Sequence, residues 1–328
     1  MSGDVNNAVS GQRIHMQEVV TRDGLQSESC FVPTQNKIAL VDALSRCGLS
    51  KIEVTAFVSP QAIPALRDAS EVLHGITRVP GVAYTALVPN VRGAERAIEA
   101  RVDEMNLVMS VSETHNLCNL RMTPEQSFAQ LREVCRLAGE AGTRVNMSLS
   151  TAFGCPMEGD VSEDAVLAWA RRYAQELGVH GITLCDTTGM AYPTQVARMI
   201  RKVRVALPGI ELSLHFHNTR GMGLANVIAS IEAGASRFDA ALGGLGGCPY
   251  APGASGNVCT EDVVHALQLM GFETGVDLQA LLEAARRMPG LVGHDVPGQI
   301  LKAGRRLDLH ARPASFEAIR ERALARTA

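Results

Sequence analysis

Two segments far apart in the chain carry the residue types that gather around one divalent cation. Thr21-Arg22-Asp23-Gly24-Leu25-Gln26 lies near the start. His215-Phe216-His217 lies two thirds of the way along, followed by a glycine-rich run from Gly243 to Asn257 that contains Cys248. A carboxylate, two imidazoles and an amide oxygen can hold a metal, with an arginine and a thiol beside it. Metal-assisted cleavage of a carbon–carbon bond is the chemistry such a set can perform.

His215 and His217 are two apart in a strand-like stretch, so both side chains share one face. The other residues of that stretch, Leu212, Leu214 and Phe216, are apolar. Unpaired imidazoles inside such a core would be costly, which argues that they bind something. An isolated Arg-Asp-Gly is ordinarily a solvated turn. Asp23 gains weight because a hard cation held by two imidazoles still wants an anionic oxygen, and Asn257 adds a neutral one. The mixed nitrogen and oxygen set suits Mg²⁺ or Mn²⁺ better than zinc, since no cysteine pairs with the histidines in a closed tetrahedral set.

Glycine fills four of the five positions from Gly243 to Gly247. No Gly-Lys-Ser/Thr follows, so the run is not a phosphate-binding loop. With Cys248, two prolines and Asn257 it reads as a lid carrying a thiol over a site. Beside a metal and an arginine such a thiol can exchange protons near neutral pH. Glu53 and Asp186 sit at the ends of two further predicted strands and can either support the site or form buried ion pairs.

The elements that must position these residues alternate. Strands are expected at Arg13–Val20, Lys51–Thr55, Val82–Val88, Glu104–Met109, Arg144–Ser150, Gly181–Cys185, Glu211–His217 and Arg237–Leu242. Helical patterns fall between them at Gln35–Cys47, Gly93–Ala100, Pro124–Ala141, Glu163–Glu176, Pro193–Ala206 and Gly223–Ala233, with Pro64 breaking a pattern over Gln61–Leu73. Eight strand–helix alternations without a linker predict one (β/α)8 TIM barrel, with the polar candidates at the C-terminal ends of its strands. A doubly wound sheet is the rival fold. Residues 1–12 read as a loose polar arm and 13–328 as a single catalytic domain. Additional C-terminal helices, at Glu261–Met270, Asp277–Met288 and Gln299–Arg305, are expected to cap the barrel or form an oligomer contact.

Net charge is −3, with 46% hydrophobic and 20% charged residues. No basic run suggests nucleic acid, and no apolar stretch approaches the roughly 20 residues that span a bilayer. The eight cysteines are irregularly spaced without Cys-x-x-Cys. With no export signal, they are expected to be mostly reduced and buried in a cytoplasmic protein.

Arg22-Asp23-Gly24-Leu25-Gln26, Ile52-Glu53-Val54-Thr55, His215-x-His217 and Gly243–Asn257 together resemble the 3-hydroxy-3-methylglutaryl-CoA lyases, metal-dependent TIM-barrel enzymes, over about Val19 to Glu261. The resemblance implies that Asp23, His215, His217 and Asn257 are metal ligands. It likewise makes Arg22 the essential arginine, Cys248 the lid cysteine, and Glu53 and Asp186 supporting acids. It implies an acyl-CoA substrate, a homodimer, and cleavage to acetyl-CoA and acetoacetate, as in leucine degradation. The chain departs from the family at Ser27-Glu28-Ser29, where Asn-Glu-Lys is common, and at Asn218-Thr219-Arg220, where Asp-Thr-Tyr is common. Gln26 and Arg220 are therefore candidates for substrate binding. A lyase for a related 3-hydroxyacyl-CoA such as citramalyl-CoA is the nearest alternative. A Claisen condensing enzyme and a non-catalytic metal-binding barrel follow.

Overall fold

The computed structural model describes residues 11–247 and 256–326. Eight parallel strands close a barrel in sequence order: β1 (His15–Glu18), β2 (Lys51–Ala56), β3 (Ala83–Leu87), β4 (Glu104–Ser110), β5 (Arg144–Ser150), β6 (Gly181–Asp186), β7 (Glu211–Phe216) and β8 (Arg237–Ala240). β8 returns to β1 with His15 opposite Arg237 and Glu18 opposite Ala240. Closure rules out the doubly wound alternative, whose sheet has edges.

The helices are α1 (Thr34–Ser45), α2 (Ala69–Gly75), α3 (Val91–Glu99), α4 (Glu113–Leu120), α5 (Pro124–Glu140), α6 (Glu163–Glu176), α7 (Pro193–Ala206), α8 (Gly223–Glu232), α9 (Thr260–Leu269), α10 (Leu278–Ala285), α11 (Met288–Val292), α12 (Ile300–Ala303) and α13 (Phe316–Leu324). Their ends carry the expected chemistry. Thr123 and Gln126 form a reciprocal capping box ahead of Pro124 in α5. Pro64 ends the helical pattern over Gln61–Leu73 and leaves a short 3-10 turn at Pro64–Leu66 before α2.

Several boundaries differ from expectation. β1 and β8 are shorter, because the chain leaves each strand early to build turns over the barrel mouth. α9 follows β8 and packs on β1, so it is the barrel's own eighth helix. α10 to α13 are the additions. The stretch expected at Asp277–Met288 divides into α10 and α11, while α4 and α13 were not foreseen. Backbone pairing begins inside the segment expected to be a loose arm. Gly11 N–H donates to the Gly271 carbonyl at 3.2 Å, and Glu273 N–H to the Gln12 carbonyl at 3.0 Å.

Parallel strands covered on both faces usually read as continuous apolar runs. Here they alternate. One parity (Ile52, Val54, Met105, Leu107, Met147, Leu149, Ile182, Leu184, Leu214, Phe216) is buried in the main hydrophobic core. The other parity is polar and faces the lumen. Gln17 donates to Ser213 Oγ across the barrel at 3.1 Å, and Asn106 donates to Glu53 at 2.7 Å while accepting from Asn146 and Ser148. Each of these lumen residues thereby finds a partner and holds its neighbour's orientation.

Glu18, at the end of β1, is wholly buried. It accepts from the backbone N–H of Val20 and Leu242 at 2.8 and 2.9 Å and from Thr260 Oγ1 at 2.8 Å. It therefore ties together the exits of β1 and β8 and the start of α9. Burial pushes its carboxyl up from 4.5 to about 8, against the pull of those donors. A raised folded-state value means that the group's favourable contribution is complete below about 4.5 and is lost as pH rises through 8. Thermal unfolding across pH 5 to 8.5 should therefore show Glu18→Gln, which stays neutral and keeps an acceptor for both amides, gaining on the wild type as pH rises. A constant difference would refute this.

Candidate metal centre

The first components of the site come from the turn after β1. Residues Val20–Gly24 make one π-helical turn, in which the amides of Arg22, Asp23 and Gly24 all reach the Val19 carbonyl, at 3.1, 2.7 and 3.2 Å. Single π turns recur at functional sites because they re-aim side chains without breaking the backbone's pairing. Thr21 Oγ1 donates to the Glu53 carbonyl at 3.2 Å and fixes the turn against β2.

The remaining components come from β7 and the glycine-rich loop. His215 lies within β7. His217 lies just beyond it and bridges to Asn257 through the backbone. Gly246 and Gly256 are both in the left-handed region, at φ +96° and +97°. A Cβ on Gly246 would lie 2.6 Å from Asn257 Nδ2 and 2.8 Å from the Asp23 carbonyl, and one on Gly256 would lie 2.3 Å from the Gly244 carbonyl. Glycine at these two positions is therefore a requirement of close packing around Asn257.

Three donor atoms converge. His215 Nε2 and His217 Nε2 are 3.2 Å apart, and Asp23 Oδ2 is 3.9 and 3.8 Å from them respectively. These are the only His, Cys, Asp and Glu side chains among the described residues that cluster closely enough to share an ion. Two ligands about 2.1 Å from a cation at roughly right angles stand about 3 Å apart, so the spacing fits one ion with slight contraction. The donors are also prepared for it. Asp239 Oδ2 lies 3.2 Å from His215 Nδ1, which makes Nδ1 the proton-bearing nitrogen and leaves the Nε2 lone pair free. Asn257 Oδ1 is buried without a hydrogen-bond partner, as an oxygen reserved for a cation would be.

Asp23 uses its two oxygens for different ends. Oδ1 accepts from Arg22 Nη1 and, at 2.9 Å, from Gln26 Nε2; Oδ2 accepts from Asn257 Nδ2 at 2.7 Å and faces the imidazoles. Burial opposes its charge, but Arg22, the two histidines and Asn257 prevail and hold its pKa below the ordinary range. Burial also works against protonated imidazoles. It takes His217 down to about 4, with help from the neighbouring His215, whereas Asp239 and Asp23 reverse the effect at His215 and raise it. Arg22 Nε lies 3.3 Å from Glu53 Oε2. Burial raises the Glu53 carboxyl in spite of that guanidinium.

Arg22, Asp23, Gln26, Glu53, His215 and His217 all line one cavity of about 530 Å³ at the C-terminal mouth of the barrel, with Gly247 at its edge. Asn257 joins them through Asp23. Asp186 is placed differently. Its Oδ1 accepts from the amides of Met190 and Ala191 at 2.7 and 3.0 Å, shaping the turn after β6, and burial pushes it up to about 7. Arg220 is not on the cavity wall; its guanidinium donates to the Thr188 and Gly189 carbonyls at 3.0 and 2.8 Å. Cys248 lies outside the described residues. Of the seven described cysteines four are buried.

The sequence reading missed Asp239, which orients His215, and Cys185, which lines the cavity beside it in β6. Asp239 carries the signal that drew attention to the histidines, a charged side chain in an apolar strand, Phe238-Asp239-Ala240. Its short strand hid it.

A closed parallel barrel with an Asp-His-His cluster at the C-terminal mouth defines a metal-site TIM barrel. The family model described as HMGL-like matches residues 13–288, and the chain belongs to that family. The hydroxymethylglutaryl-CoA lyase of Bacillus subtilis is 43% identical over 291 residues, 89% of this chain and 97% of that one. The 3-hydroxy-3-isohexenylglutaryl-CoA/hydroxymethylglutaryl-CoA lyase of Pseudomonas aeruginosa is 39% identical, over 89% and 97%. A solved HMG-CoA lyase from Acinetobacter baumannii, in complex with coenzyme A and 3-methylmalate, superposes with TM-score 0.88 at 53% identity, covering 92% of this chain and 98% of that one.

Two outcomes follow for the centre. Asp239→Asn, which leaves His215 without its charged partner, should weaken Mn²⁺ binding about ten- to hundredfold by calorimetry. Gly246→Ala should displace Asn257 and lower metal affinity more than Gly81→Ala, at a positive-φ glycine with open space around its Cβ position; equal affinities in the two variants would contradict the packing account.

Proposed function

We propose that this chain is a hydroxymethylglutaryl-CoA lyase, cleaving 3-hydroxy-3-methylglutaryl-CoA to acetyl-CoA and acetoacetate with a divalent metal, Mg²⁺ or Mn²⁺. The observation that carries the reading is the convergence of Asp23, His215 and His217 beside Arg22 in one cavity, in a chain of the HMGL-like family. A bound cation would supply Lewis acidity to the substrate's tertiary hydroxyl. Asp23, His215, His217 and the Asn257 amide oxygen are the residues that would hold it.

The protein's own groups divide the remaining work. Arg22, fixed between Asp23 and Glu53, keeps a permanent positive charge where the thioester oxygen gains negative charge as C2–C3 breaks. Asp23 is assigned the removal of the hydroxyl proton. Cys248 is assigned the return of a proton to the carbon of the departing acetyl thioester. Glu53 and Asn106 brace Arg22 from the lumen, and Asp186 braces the turn after β6. Gln26 acts on Asp23, which favours a positioning role over substrate contact. No helix of the described residues is long and apolar enough to cross a membrane. A cytoplasmic homodimer built from a single catalytic domain remains the reading for the assembled protein.

Acetoacetate release from 3-hydroxy-3-methylglutaryl-CoA should be fast with Mg²⁺ and abolished by EDTA. Absence of cleavage in the presence of bound metal would move the substrate to citramalyl-CoA or a longer-branched relative. Arg22→Met should lower kcat by about 10²–10³-fold while metal still binds. Asp23→Ala should lose metal affinity itself, and unchanged affinity would strike Asp23 from the ligand set.

A further inference from the structure

The lumen-facing side chains change character with height in the barrel. Low in the lumen, Glu53, Thr85 and Asn106 of β2 to β4 line a small polar space together with Lys51 and Glu104. One layer higher the same strands present Ala56, Leu87 and Val108 to the catalytic cavity, and Val58 and Ile63 extend this wall beyond β2. These residues form a hydrophobic cluster separate from the main core. A β-bulge builds it. Strict alternation would send Glu53 and Ala56 to opposite faces. The register with β3 shifts between Glu53 and Thr55, so Glu53 pairs with Thr85 and Ala56 with Leu87, and both face the lumen. Across the cavity the wall stays polar, with Ser148, Ser150 and Thr187 beside His215 and His217.

Apolar surface facing an open cavity is unfavourable until something apolar covers it. The substrate class read above offers one such group. C3 of a 3-hydroxyglutaryl thioester carries the hydroxyl, the thioester arm, the carboxylate arm and one hydrocarbon substituent. The hydroxyl belongs at the metal centre and the thioester oxygen at Arg22, while a carboxylate set against hydrocarbon would forfeit its hydrogen bonds. That leaves the substituent, and a methyl would cover only part of a wall of this extent. We propose that the wall is a subsite for the C3 substituent and takes an alkyl chain of several carbons, so that the protein cleaves 3-alkyl-3-hydroxyglutaryl thioesters of coenzyme A beyond the methyl compound. This rests on the lyase reading above and widens its substrate class. The chemistry balances as before. C2–C3 breaks, its electron pair stays with C2 and takes up a proton, and the hydroxyl loses its proton as C3 becomes the carbonyl carbon of a longer 3-oxo acid.

Turnover of 3-butyl-3-hydroxyglutaryl-CoA, to acetyl-CoA and 3-oxoheptanoate, tests it beside turnover of the methyl thioester. Each methylene buried on the wall is worth about fourfold in affinity. The butyl thioester should therefore show the lower KM, with kcat/KM equal to that of the methyl thioester or higher. Ala62→Asp, at an exposed position on the same wall, should lower the butyl-to-methyl ratio of kcat/KM by about tenfold or more, because it sets a charge in the path of the chain. Val108→Phe, which occupies the space, should lower that ratio in the same direction. In calorimetry on the full chain with bound Mn²⁺, 3-oxoheptanoate should bind about tenfold or more tightly than acetoacetate, and Ala62→Asp should remove the preference. Cleavage of the butyl thioester at less than about a hundredth of the methyl rate would overturn the assignment. So would variants that slow both substrates equally, as a wall lining the shared thioester arm would require. Failure to cleave either thioester with metal bound would instead remove the lyase reading, and the subsite would fall with it.

Discussion

The structure of the site depends on one carboxylate. Asp23 faces Arg22 and Gln26 with one oxygen, and Asn257 and the two imidazoles with the other. These partners come from the turn after β1, the end of β7 and the glycine-rich loop. Removing its charge would leave a buried guanidinium without one of its two partners and the amide of Asn257 without its nearest acceptor. In a water-poor setting such losses cost several times what they do at the surface. The depressed pKa of Asp23 expresses this mutual dependence.

The polar lumen beneath gives that carboxylate a rigid base. In many barrels aliphatic layers fill the interior. Here hydrogen bonds run from Gln17 to Ser213 and from Glu53 through Asn106 to Asn146 and Ser148, so Glu53 presents its second oxygen to Arg22 from a fixed position. The orientation of the arginine is thus inherited from residues two layers below the mouth.

Much of this was legible in the sequence. The eight strands were located by their alternation, and Asp23, His215, His217 and Asn257 by residue type and spacing, since short-range periodicity is what a sequence displays directly. What escaped notice depends on relationships across strands. Asp239 acquires its role only because β7 and β8 are in register with His215 opposite Asp239. α9 looked like an appendage because the long loop before it hides its place as the eighth barrel helix. Arg220 is a substrate-binding candidate in the sequence because the chain departs from the family pattern there, yet the turn at Gly221 lets it fold back onto Thr188 and Gly189.

The order of the ligands along the chain has a further consequence. Asp23 follows the first strand, while His215 and His217 come from β7 and its exit and Asn257 from the loop after β8. No fragment that lacks either end can assemble the cluster, because the ring is sealed only when β8 pairs with β1. Nearly two hundred residues separate the contributors, so the entropy of joining them must be met by the whole barrel before any cation gains its full complement of donors. Metal affinity is therefore a property of the sealed ring, and a bound ion would act as a clasp that resists opening at the β1–β8 seam by mass action.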